Sequence, residues 1–79
     1  MNKYALRFIV LYDSGVKETY DTDFFENELE DTNQQRQDFE QLVKDCYQKG
    51  LNGQINIENV GVINISKTSF VKVEVVDYY

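Results

Sequence analysis

Ten residues near the start of the chain, Lys3 to Tyr12, alternate with the period of a β-strand. Tyr4, Leu6, Phe8, Val10 and Tyr12 share one side, and Ala5, Arg7, Ile9 and Leu11 share the other. Both sides are largely apolar, the mark of a central strand covered on two faces. Asp13-Ser14-Gly15 follows as a three-residue hairpin loop, with Gly15 supplying a left-handed residue. The return strand is read from Val16 to Tyr20, where β-branched Val16 and Thr19 suit it.

A helix is expected from about Asn33 to Lys49. Thr32 with Gln35 makes a capping-box candidate, and Phe39, Leu42, Val43, Cys46 and Tyr47 recur at the spacing of one helical face. Gly50 stands where a left-handed C-cap belongs, with Leu51 placed to fold back on the last turn. The turns from Gln34 to Asp38 are wholly polar. After Asn52-Gly53 the strand pattern returns in Ile55 and Ile57, then in Val60 to Ser66, and finally in Phe70 to Tyr78. Turns are expected at Glu58-Asn59 and at Lys67-Thr68-Ser69.

The order is β-β-α-β-β-β in a single domain over residues 1–79. It reads as a hairpin at about 3–20, an acidic segment at 21–32, the helix at about 33–49 and strands at about 54–78. The fold class is α+β, with an antiparallel sheet of about five strands packed on one amphipathic helix. One helix covers only one sheet face. The second apolar side of the first strand, with the terminal aromatics, therefore calls for a homodimer through strands or the open face. A bent half-barrel closing on itself is the competing solution.

A 79-residue chain buries only about 60% of its unfolded surface, so small folds lean on disulfides, metals or oligomerisation. Cys46 is the only cysteine and histidine is absent, which excludes an internal disulfide and a Cys/His zinc site. No cofactor is expected. No stretch approaches the roughly 20 apolar residues of a membrane span, and the N-terminal pattern is not that of a signal peptide. A lone thiol in such a chain fits the cytoplasm. The net charge of −6 opposes direct nucleic-acid binding, where phosphate repulsion would dominate.

Catalysis has little to work with. The usual general base is missing, Cys46 falls on the apolar helix face, and Ser14, Ser66 and Ser69 lie at expected turns or strand ends. The chain is read as a non-enzyme. Gly50-Leu51-Asn52-Gly53 leaves a helix instead of leading into one, so it is no phosphate loop. Asp21-Thr22-Asp23 opens like a calcium loop, but Phe25 takes the next ligand position. Lys3, Arg7, Lys17, Lys67 and Lys72 fall on or beside strands with many aromatics. Core filling by Tyr4, Phe8, Tyr12 and Phe70 accounts for the rings better than base stacking.

The acid is concentrated. Between Glu18 and Asp31 there are seven carboxylates and no Lys or Arg. Within this block Asp21, Asp23, Phe24, Phe25, Glu26, Glu28, Glu30 and Asp31 are the candidate partner-binding residues: the aromatics would anchor in an apolar pocket while the acids meet a basic rim. The competing reading is a solvated charged face. The expected function is a small acidic protein-binding module that occupies a basic surface of another protein. In its strongest form it imitates nucleic-acid phosphates, as small acidic phage and mobile-element inhibitors of similar size and charge do. The other class of function is a structural domain assembling through its open sheet face.

Overall fold

The structure is a computed structural model that describes residues 3–22, 28–57 and 60–78. The first strand, β1 (Lys3–Tyr12), and β2 (Lys17–Asp21) form the expected hairpin. Gly15 takes φ 92°, its N–H donates to the Tyr12 carbonyl, and the Tyr12 N–H donates to the Val16 carbonyl. The helix α1 spans Leu29–Lys49, followed by β3 (Gln54–Ile57), β4 (Gly61–Asn64), a 3-10 turn at Ile65–Lys67, and β5 (Thr68–Tyr78).

The α+β class holds, with one helix packed on antiparallel strands, but the five strands divide. A three-stranded sheet has the order β2-β1-β5, and among the described residues β3 pairs only with β4. The expected strand from Val60 to Ser66 is shorter, because its last residues wind into the 3-10 turn. There Thr68 Oγ1 donates to the Ile65 carbonyl at 2.7 Å, and β5 starts at once where a separate turn was expected.

β1 is the central strand, and its two faces have different fates. Leu6, Phe8 and Val10 are buried and face the same way as their β5 partners Val75, Val73 and Val71. Onto this face pack Val43 and Cys46 of α1 together with Ile55, Ile57, Ile63 and Ile65 of the β3–β4 region. The Phe8 ring, fully buried, meets Phe39 edge-on with centroids 5.2 Å apart, a favourable aromatic geometry. Helix and small hairpin thus share one layer, and the sheet is the other. A shortest extent of 16 Å leaves room for two layers. The opposite face of β1 lies outside this cluster and changes along its length: Ala5 is buried, Ile9 is half-buried and Leu11 is exposed.

Two helix details correct the sequence reading. The helix begins at Leu29, about one turn before Asn33, with Glu28 in the extended N-cap position. Thr32 is not the cap: it is 1% exposed inside the first turn, where its Oγ1 donates to the Glu28 carbonyl at 3.0 Å. Its burial accounts for this, because a buried hydroxyl needs a partner and the carbonyl one turn back supplies it. The C-terminus is as expected, with Gly50 at φ 64° and the Leu51 N–H donating to the Cys46 carbonyl. Leu51 itself is half exposed. Among the described residues no helix is long and apolar enough to cross a membrane.

Candidate functional site

The acidic block is split by the fold. Asp21 ends β2 and pairs in register with Arg7 of β1. Its carboxylate accepts from Arg7 Nε at 2.8 Å and from Arg7 Nη2 at 3.0 Å, a fork geometry in which both oxygens are used. Both side chains are about one-third exposed, 33% and 32%, so solvent screening keeps the pair modest in energy. Its position is on the open face of the sheet, beside the in-register residue Glu74 of β5.

Glu28, Glu30 and Asp31 stand at the start of α1, and all three are exposed. Asp23, Phe24, Phe25 and Glu26 lie outside the described residues, as does the Glu58-Asn59 turn. Carboxylates in a first helical turn sit against the positive end of the helix dipole, which stabilises them there. Among the described residues, no hydrogen bond or ion pair engages the carboxylates of Glu28, Glu30 or Asp31. The acids further along the same helix differ. Asp38 accepts from Gln34 at 3.1 Å, Glu40 from Arg36 at 2.7 Å, and Asp45 from Gln41 at 2.9 Å, each one turn away.

The open sheet face carries the second feature. Arg7, Ile9 and Leu11 of β1 lie beside Glu74, Lys72 and Phe70 of β5, with Asp21, Thr19 and Lys17 of β2 on the other flank. Leu11 is 37% exposed and Phe70 51%, and the two are cross-strand partners. A shallow recess here is lined by Ile9, Leu11, Lys17, Phe70 and Lys72. The cations are partly answered on the face itself: Arg7 by Asp21, and Lys72 by Glu74 at 2.9 Å. Lys67 lies in the 3-10 turn, apart from this row.

The remaining polar chemistry is structural. Cys46 is 4% exposed in the core cluster, so its thiol packs as a small hydrophobe. The hydroxyls of Tyr12 and Tyr20 lie 2.9 Å apart, and Tyr20 is pushed up to about 12 by that hydrogen bond and by burial. No group of His, Cys, Asp and Glu suited to a metal occurs among the described residues. No family model, curated protein or solved structure matches this chain.

Proposed function

We propose that the chain is a small acidic protein-binding module whose carboxylates at the start of α1 dock on a basic surface of another protein. The observation that supports this reading is the contrast within one helix. Asp38, Glu40 and Asp45 each have a side-chain partner one turn away, whereas Glu28, Glu30 and Asp31 are exposed and their carboxylates have none among the described residues. Carboxylates held by a helix dipole but left without internal partners are suited to steering and registering a cationic surface. In its strongest form the acidic turn occupies a nucleic-acid-binding surface, the role of a phage or mobile-element inhibitor acting in the cytoplasm. The reading assigns no catalytic step and no cofactor.

Asp21 has a different part in this reading. Its carboxylate is committed to Arg7, so it holds the sheet edge and stays out of the docking surface. The test is affinity capture at low and high salt with Glu26, Glu28, Glu30 and Asp31 neutralised together. Captured partners are expected to be lost both with the neutralised chain and at high salt. Undiminished capture by the neutralised chain would end this reading.

The assembling role is the second reading, and the exposed Leu11–Phe70 pair at one end of the open sheet face favours it. Apolar side chains left exposed on a strand pair are ordinary singly, but here they adjoin a free sheet edge.

A further inference from the structure

The two edges of the main sheet are built differently. β2 is five residues long, Lys17-Glu18-Thr19-Tyr20-Asp21, and its charges guard it against pairing with another strand. β5 is eleven residues long and includes Val71, Val73, Val75 and Val76. Among the described residues β5 pairs with β1 alone, which leaves its outer edge open.

The direction of the β5 backbone groups follows from the hairpin. Leu6 exchanges hydrogen bonds with Thr22, and the Tyr12 N–H donates to Val16, so the even residues of β1 turn their backbone towards β2. Alternation turns Ala5, Arg7, Ile9 and Leu11 towards β5, onto their partners Val76, Glu74, Lys72 and Phe70. Val71, Val73, Val75 and Asp77 then direct N–H and C=O out of the sheet. These groups are the template for a further strand.

We infer that the occupant of this edge is a second copy of the same chain, with β5 pairing antiparallel to β5 about a two-fold axis at Val73. In this register Val73 faces Val73, Val71 faces Val75, Lys72 faces Glu74 and Phe70 faces Val76. Every outward-turned backbone group meets another, every charge on the strand from Phe70 to Val76 meets its opposite, and every apolar residue meets an apolar one. Shifting the axis by one residue sets Lys72 against Lys72 or Glu74 against Glu74. Centring it on Val71 sets Lys72 against Phe70 instead, and centring it on Val75 sets Glu74 against Val76. The strand is self-complementary in one register.

The surroundings agree. A groove between α1 and β5, lined by Val43, Lys44, Tyr47, Phe70 and Val71 among others, runs beside the same edge. The register brings Val75 and Val76 of the second copy to its Phe70–Val71 end. The result is a closed isologous pair with a six-stranded sheet, edged on both sides by the short guarded β2. The docking carboxylates of α1 take no part, so the two ideas stand or fall separately.

Sedimentation equilibrium over a range of concentrations tests the pairing. The intact chain is expected at twice its 9.3 kDa mass. Lys72→Glu and Glu74→Lys each place like charges opposite across the axis and are expected to weaken pairing about tenfold or more. Both side chains are solvent-exposed, 56% and 38%, so each variant is expected to keep its fold, which circular dichroism checks. Mixing the two variants is expected to restore pairing, because the carboxylates at positions 72 and 74 of one copy then face the ammonium groups at positions 74 and 72 of the other. A monomer at every concentration overturns the pairing. Single variants that still pair fully, or a mixture that does not recover, overturn the register.

Discussion

Gly53 passes so close to Cys46 that a β-carbon at position 53 would overlap the Cys46 Sγ, with Ile65 Cδ1 3.4 Å away on the other side. The Gly53 carbonyl also accepts from the Ile65 N–H at 3.0 Å, so this contact locks the end of β4 under the helix C-terminus. Gly53 has no positive φ to explain it. The need is for space, not backbone freedom. Gly53→Ala is therefore expected to destabilise by about 1–3 kcal/mol through overpacking. Cys46→Ala in the same chain should recover part of that loss by removing the sulfur, visible as a favourable coupling in a urea-denaturation double-mutant cycle. Additive losses would place the clash elsewhere.

The Tyr12–Tyr20 hydroxyl pair gives a pH prediction. Tyr20 titrates at about 12 in the folded chain against 10.0 in the open chain, so folding favours its protonated form. The associated stability is complete below pH 10 and is lost as pH rises through 12. Tyr12→Phe removes the leading cause, and ultraviolet titration is expected to bring Tyr20 back towards its ordinary value. An unchanged Tyr20 titration in that variant would show that the pair does not set it.

Thr68 Oγ1 donates its proton to the Ile65 carbonyl, so the Tyr47 hydroxyl 2.6 Å away has to be the donor in their contact. Tyr47→Phe thus leaves Thr68 satisfied, with an expected loss of about 0.5–1.5 kcal/mol. Thr68→Val removes two hydrogen bonds, the one from Tyr47 and the one to the Ile65 carbonyl, which keeps the Thr68 backbone N–H, and so should cost more, about 1–3 kcal/mol. Thermal unfolding of the two variants checks the order.

Asp21→Asn separates the sheet ion pair from docking. Its partly exposed pair with Arg7 is worth about 1 kcal/mol or less, so a small loss of stability is expected. Captured partners should stay bound, in contrast to the chain neutralised at Glu26, Glu28, Glu30 and Asp31.

Regular periodicity made the first hairpin and the helix C-terminus readable in advance. The period of two from Tyr4 to Tyr12 and the glycine at position 50 each impose a local geometry that tertiary packing had no reason to change. The helix start was hidden because Leu29 is exposed and its neighbours are acidic, so the first turn shows no apolar stripe. Thr32 looked like a cap for the same reason that it works as a buried donor, a short hydroxyl that reaches backbone. The division of the strands was not legible either. Ile55, Ile57, Ile63 and Ile65 alternate as sheet strands do, and only their packing partners decide that they sit beside the helix. Within the acidic block, linear proximity concealed that Asp21 belongs to the sheet and Glu30 to the helix.

Hydrogen exchange on the complex with a captured partner tests the docking surface most directly. Slowed exchange is expected at the amides from Leu29 to Asn33, at the start of α1, with the β3–β4 hairpin unchanged. Protection confined to the hairpin or to the open sheet face, with the helix start exchanging as in the free chain, would contradict the proposed role of Glu28, Glu30 and Asp31.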